Sequence, residues 1–529
     1  MSQKKAPKMM RGLKGLLTMA CLGGASLAPH ALFGQQAKAE WTTSSVDQFR
    51  DAWYQGPSKI TPATAKNLHL LWKTKLTIKT MGMQSFREPL EVVGVATPAG
   101  TKDLTVVVGA SNEVFALDSA DGKVVWQAKL PWASATPQQP GEGRGFICTN
   151  AQSATPVISD APGRKVYVLS SDGYIHTLEL TDGAEKDAPV QILSQPYGKP
   201  YGLNLVNGVI YTITGQGCGG VPNALYAFDL KTRKVTQSQP PQAGLWGVAG
   251  PTIDHDGTIF FESGDGPYDA AAGKLSTSIE AFTYADGTLK LKDYYTPPNY
   301  DWLTRRDLDM NATGVVFPWK GREIYIGSGK EGRFFIVDTK NMGGTDHQTP
   351  LYRSPLISNT NMNFQTEGTW GSMATWLDKS GTRWLLAPIG GKVGVKFPVT
   401  YGETPNGGIV ALKVVDKGGH PEVEPAWLSH DMLTAEPPVI VNGVAIVLAG
   451  GEYTLQSNDV EGGLFSAEQR IKNSGKAKLY ALDALTGKEL YASPDADIPS
   501  FLHQAGPSVA GDKVYFGTFD GTIYCYGLK

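Results

Sequence analysis

The stretch KLYALDALTGKELYAS, residues Lys478–Ser493, decides the fold because the chain repeats it. The same phrase stands at Val114–Trp126 as VFALDSADGKVVW and at Leu225–Val235 as LYAFDLKTRKV. Weaker copies begin at Ile175 (IHTLELTDG), Ile279 (IEAFTYADG), Phe334 (FFIVDTKN) and Ile409 (IVALKVVDKGG). These seven copies follow one another at intervals of about 50 to 75 residues, and a shortened eighth, TIYCYGL, occupies Thr522–Leu528. Repetition at such a period marks a supersecondary unit that buries its faces only against its neighbours.

The internal grammar of a unit is clearest around the second copy. SATPVI leads into KVYVLSSDGYIHTLEL and then TDGAEKDAPVQIL, short β-branched and aromatic runs separated by SSDG and TDG. Asp-Gly between alternating apolar runs is a hairpin signal. Four antiparallel strands per unit, eight times over, predict an all-β, eight-bladed β-propeller of four-stranded antiparallel blades. A string of separate sandwiches would not need one phrase in every unit. The last unit, His503–Leu528, offers only three strands, and LHLLWKTKL at Leu68–Leu76 can supply the missing outer one. An N-terminal strand placed there removes the two open sheet edges of an unclosed ring. Three excursions, 341–364, 385–408 and 451–476, interrupt the later blades and are expected to cover one end of the ring.

Composition agrees. Of 529 residues, 41% are apolar and 10% aromatic, enough for a large core, and 62 glycines with 34 prolines favour many tight turns. Lys and Arg number 48 against 50 Asp and Glu, so no charge excess points to a nucleic acid or an anionic membrane. The first 39 residues differ: Lys4, Lys5, Lys8, Arg11 and Lys14 precede a short apolar run, and Ala37-Lys38-Ala39 precedes Glu40. That layout predicts a secretory signal peptide cleaved near Ala39, leaving residues 40–529 as one propeller domain in the periplasm or outside the cell. No second apolar run approaches the length of a membrane span.

The full phrase Ala116-x-Asp118-x-x-x-Gly122-x-x-x-Trp126 resembles the tryptophan-docking repeat of the quinoprotein alcohol dehydrogenases. These propellers hold pyrroloquinoline quinone at their axis, and the superfamily also contains non-enzymatic outer-membrane assembly factors. The resemblance runs in blade order through nearly all of residues 40–529. In LWGVAGPTIDHDGTIFFESGDGPYD, it implies that Trp246 forms the floor beneath the quinone and that Asp265 stands where the family has a calcium-ligating asparagine. In TPPNYDWLTRRDLDMNATG, Asp309 aligns with the catalytic carboxylate, which would also meet the metal, and Asp307 is a close rival. Lys330, in GSGKEGRFFIVD, matches the basic residue that faces the quinone oxygens, and Trp370, in GTWGSMATW, matches a cofactor-edge position.

Three departures from the family pattern stand beside these matches. Its adjacent cysteine pair is reduced to Cys148 in FICTNAQ, and its third-blade glutamate is replaced in ITGQGCGG, which offers Gly217 or Cys218. Its arginine after the cysteine pair is absent from Ala151-Gln152-Ser153. The family directs both Cys148 and Cys218 toward the axis on adjacent blades, so a cross-blade disulfide between them is expected to replace the missing lid. Cys525, within the last strand, is expected to be a buried thiol.

The implied activity is oxidation of an alcohol or sugar hydroxyl with pyrroloquinoline quinone and Ca2+ as cofactors. No CxxCH occurs, so electrons would leave to a separate acceptor such as a cytochrome. Each residue also has a plainer role open to it: Trp246 as inter-blade packing, Asp265 as a turn residue, Asp307 and Asp309 as partners of Arg305 and Arg306, Lys330 as a hairpin residue. His503 and Glu436 begin late inner strands and could face the same hole. Two other functions stay open, a quinone-free carbohydrate lyase or hydrolase and a non-catalytic binding scaffold.

Overall fold

Alternation along each strand and glycine at each turn dictate hairpins, and stacking of hairpin pairs does the rest. In the computed structural model, residues 40–133, 147–240, 242–365, 367–457 and 463–528 are described. The predicted signal peptide and its cleavage site lie outside them. Eight small sheets follow one another round a ring. In chain order they span Leu90–Lys129, Val157–Gln191, Asn204–Gln237, Leu245–Tyr295, Val315–Arg353, Gly368–Leu428, Val439–Ala492 and Ser508–Gly527, hereafter blades 1 to 8. In blade 8 the N-terminal strand His69–Lys75 pairs antiparallel with Thr522–Gly527 as the outermost strand. The predicted closure is therefore present. Strands in mid-blade are covered on both faces by adjacent blades, which is why Val444–Ala449 is buried at every position rather than at alternate ones.

The repeated phrase is the inter-blade joint. The indole N–H of Trp126 on blade 1 donates to the carbonyl of Leu180 on blade 2 at 2.9 Å, and its ring lies on Gly183. A Cβ at Gly183 would come within 2.5 Å of that ring, and the backbone there has φ +72°, so both space and conformation call for glycine. Trp427 repeats the joint between blades 6 and 7, bonding Ala484 at 3.0 Å over Gly487. Trp72, on the closing strand, docks on Gly122 of blade 1 in the same way and bonds Ser119 at 3.2 Å.

One feature of the axis was not expected. Residues 41–54 run along the innermost strands and meet the blades in turn. Trp41 bridges Glu91 of blade 1, and the carbonyls of Thr42, Gln48, Phe49, Asp51 and Ala52 accept from Ile158, Ile253, Val316, Thr375 and Ile440 of blades 2, 4, 5, 6 and 7. Thr43 bonds Leu203 beside blade 3 at 2.8 Å, and Tyr54 accepts from Gly511 of blade 8 at 2.8 Å. Arg50, fully buried at the centre, donates to Thr43, Ser44, Asp47 and Leu203.

The excursions also differ from expectation in two places, the first being Tyr352–Arg353 within 341–364, which is the outer strand of blade 5. Residues 385–390 belong to a strand, Arg383–Gly390, so the middle excursion is confined to the residues after it. The pairing of this strand with Gly408–Lys417 makes it the second strand of blade 6.

Candidate active site at the propeller axis

The residues that open onto the axial cavity come from segments before inner strands (Asp307, Glu436, His503), from an inner strand itself (Trp246) and from turns that follow second strands (Asp265, Lys330). They line a cavity of about 290 Å³, near the lower end of the usual range for small-molecule sites. Trp246, Asp265, Asp307, Lys330 and Trp370 are all on its wall.

Local pairing explains why these five converge. Trp246 sits on a short inner strand of blade 4 opposite Glu262, and Asp265 follows that partner strand by two residues. Gly264 lets the next loop close in, since a Cβ there would fall 2.3 Å from Asp309 Oδ1 and 2.7 Å from Trp246 Nε1. The Lys330 N–H donates to the Asp309 carbonyl at 2.9 Å, which ties the hairpin of blade 5 to the loop that precedes it. Ala312–Thr313 and Gly371–Ser372 pair in parallel across the boundary of blades 5 and 6, which sets Trp370 beside that loop.

The charges form a compact knot. Lys330 Nζ lies 2.6 Å from Asp309 Oδ2, 2.8 Å from Asp307 Oδ1 and 2.9 Å from the Asp307 carbonyl. Asp309 Oδ1 accepts the Asp265 N–H at 2.7 Å. Asp265, Asp307 and Asp309 each offer a carboxylate oxygen within 4.8 Å of the others. Burial raises Asp309, but Lys330 and the bonds from Asp307 and the Asp265 N–H outweigh it, so its carboxyl ends below its ordinary value. Burial first, then the negative charge of Asp309, pushes Asp307 up to about 7. The same two causes push Asp265 up to about 6.

Asp307 and Asp309 thus divide the work. Asp309 is buried and lies behind the cavity wall, whereas Asp307 is part of that wall, aimed there by a left-handed backbone with φ 54°. Trp246 Nε1 is buried with no hydrogen-bond partner. The Trp370 ring stands edge-on to Trp246 with centroids 6.4 Å apart, and Lys330 Nζ lies 5.6 Å from the Trp370 centroid.

Cys148 and Cys218 are joined by a disulfide, and Cys525 is a buried free thiol. The disulfide lies beside the cavity rather than on its wall. It braces two loops whose neighbouring residues, Ile147 and Gln216, do reach the wall.

The facing wall comes mainly from blades 7 and 8 and includes the other two residues singled out in the sequence. His503 Nδ1 is 2.7 Å from Glu452 Oε2, and Glu452 Oε1 accepts from Arg470 at 2.7 Å. Burial lowers His503 despite Glu452, which favours the neutral ring. Glu436 is buried with Oε1 unpartnered, and burial followed by Glu452 pushes it up to about 8. Glu452, Arg470, Arg87 and Lys199 escaped the sequence reading. Three stand in loops and Arg470 on the short helix Ala467–Asn473, with no shared motif, and closure of the ring brings Arg87 and Lys199 to the Glu452–Arg470 pair.

A family model described as outer membrane protein assembly factor BamB matches residues 54–270. Among solved structures, quinohemoprotein alcohol dehydrogenase ADHIIG from Pseudomonas putida HK5 superimposes with a TM-score of 0.58 at 15% identity, over 93% of this chain and 80% of that one. The fold is that of the quinoprotein alcohol dehydrogenase-like β-propellers. Within this fold, the quinohemoprotein alcohol dehydrogenase from Comamonas testosteroni gives a TM-score of 0.54 at 15% identity, over 93% and 81% of the two chains. A europium-containing methanol dehydrogenase gives 0.54 at 15% identity, over 92% and 98%. No curated protein matches the chain in sequence. Among the described residues no helix is long and apolar enough to cross a membrane.

Proposed function

We propose that this propeller is a periplasmic or secreted quinoprotein-type dehydrogenase that oxidises the hydroxyl of an alcohol or sugar. The observation that carries the reading is the shared wall on which Trp246, Asp307 and Lys330 meet. A flat conjugated ring suits the tryptophan-lined floor, and its oxygens suit the Lys330 donor. The residues therefore fit pyrroloquinoline quinone.

They also fit a hard cation such as Ca2+. Asp265, Asp307 and Asp309 supply oxygen donors, and the raised Asp265 and Asp307 mark more negative charge than Lys330 balances. The carboxylate absent from the third blade at Gly217 and Cys218 has a substitute in Asp307, which reaches the same cluster from the loop before blade 5.

When bound, the quinone would take up the hydride, and in it the electron pair of the broken C–H bond, from the alcohol carbon. The chain's own part is proton transfer and orientation. Asp307, open to the cavity, is better placed than the buried Asp309 to accept a hydroxyl proton. Asp309 stays ionised against Lys330 and holds that ammonium at the wall. The substrate lies between the Asp307 wall and the Glu436–His503 wall, and electrons leave to a separate acceptor such as a cytochrome.

The non-catalytic scaffold is the second reading, supported by the description of the matching family model. Quinone-free lyase or hydrolase chemistry has no comparable support. The purified protein, mixed with pyrroloquinoline quinone and Ca2+ and assayed with an artificial dye acceptor over simple alcohols and sugars, decides between them. Dye reduction is expected; neither a thermal shift nor dye reduction would strike out the dehydrogenase.

A further inference from the structure

On the Asp307 side of the cavity the cation, Lys330, has carboxylates against it. Lys199 does not. It reaches the wall from the connection between blades 2 and 3, and its Nζ lies 5.2 Å from the Trp246 ring centroid. Among the described residues no carboxylate stands within ion-pair distance of it. Its charged neighbours are Arg87 and Arg470. Arg87 is buried, donates only to the neutral acceptors Gln84 Oε1 and the Ser153 carbonyl, and keeps Nε unpartnered. Arg470 pairs with Glu452 at 2.7 Å. Three cations thus share one sector, with Glu452 against Arg470 and Glu436 acting on Arg87, and the half-buried Lys199 is left open to an anion that a ligand supplies.

We propose that Lys199, backed by Arg87 and Arg470, anchors a carboxylate of a planar aromatic ligand that lies against Trp246. The inference deepens the quinoprotein reading and rests on it, since the quinone is an aromatic tricarboxylate. It also accounts for the arginine missing at Ala151–Ser153, because Lys199 brings a cation to the same axial hole from the next connection. Burial first, then the two arginines, pushes Lys199 down to about 8. Its charge is therefore present below that pH and lost above it. The other ionisable groups on the cavity, Asp265, Asp307, Lys330, Glu436, Glu452 and His503, face it across the space or pair among themselves.

Binding is read by tryptophan fluorescence and calorimetry, with pyrroloquinoline quinone, benzene-1,2,4-tricarboxylate and its neutral triamide as probes. Lys199→Gln should weaken both carboxylates roughly 10- to 100-fold, the scale of one charge-assisted hydrogen bond. Lys199→Arg should keep them tight. Wild-type affinity should fall as pH rises from 7 to 9, and more steeply than that of the Arg variant, in which Asp307 and Glu436 still gain charge but the anchoring cation does not lose it. The triamide should bind no better to wild type than to Lys199→Gln. Quinone binding to Lys199→Gln within twofold of wild type overturns the anchor and leaves the quinoprotein reading standing. Lys199-dependent binding of the tricarboxylate without any quinone binding supports the anchor and removes the quinone. If wild type binds neither carboxylate, the anchor is wrong.

Discussion

The inner strands of this propeller are met by two regions of opposite character. Along the strands, residues 41–54 form a seal in which successive carbonyls accept one hydrogen bond from blade after blade. At one end of the ring, Trp246 Nε1 and Glu436 Oε1 of the cavity residues have no hydrogen-bond partner among the described residues. Both regions contain backbone in the left-handed region, at Ser45, Val46, Arg50 and Ala52 in the seal and at Asp307, Thr434 and Gln504 around the cavity. In the seal that strain is repaid by hydrogen bonds to the ring; at the cavity it aims side chains at open space. Even the seal is imperfect, since Arg50 Nε lacks a partner. The contrast still separates polarity used for holding from polarity kept for a guest.

The largest effect should come from breaking the seal. Removal of residues 41–54 exposes the inner strands of all eight blades, so we expect loss of the cooperative thermal transition. A milder lesion, Arg50→Met, should cost about 3 kcal/mol of stability while leaving quinone affinity near that of wild type. A normal melting curve for the truncated protein would show that the seal is decoration.

The next prediction concerns turnover. Asp307→Asn should lower dye-linked turnover roughly 100- to 10,000-fold, the range for a general base, with quinone binding retained. Asp309→Asn should instead lower stability, because it leaves Lys330 buried with half its charge partners. Equal turnover in wild type and Asp307→Asn would return the basic role to Asp309.

The smallest effect tests Glu436. Its folded value, about 8, is above that of an unfolded glutamate. Its contribution to stability is therefore complete below the unfolded value and lost as pH rises through about 8. Glu436→Gln can still accept the backbone N–H bonds and carries no charge at any pH. The Tm difference, variant minus wild type, should grow by a few degrees from pH 5 to pH 9. A flat difference would mean that this wall is solvated rather than buried.

The ring was legible because its joint is chemical: a tryptophan needs a glycine to lie on and a carbonyl to bond, and both leave a written spacing. Closure by His69–Lys75 could be read as well, since a three-strand remainder demands a fourth. The seal could not be read. TTSSVDQFRDAW has no period, because each residue answers a different blade through its backbone. The Asp307 wall was partly legible through short motifs around Trp246 and Lys330. The choice between Asp307 and Asp309 was not, for Lys330 pairs with both and only the folded wall shows which carboxylate opens onto the cavity. Lys199, Arg87 and Arg470 left no trace at all, being brought together only by closure.

That closure sets an order of assembly. Tyr54 bonds Gly511 across 457 positions, and the strand at His69–Lys75 needs Thr522–Gly527 as its partner. The earliest part of the described chain must wait for the latest before either is satisfied. Contacts so distant in sequence make folding slow, and an incomplete chain presents two raw sheet edges. A chain kept unfolded until its last strand is available would avoid that exposure, so a holding chaperone should raise the yield of active protein more than a change of refolding temperature does.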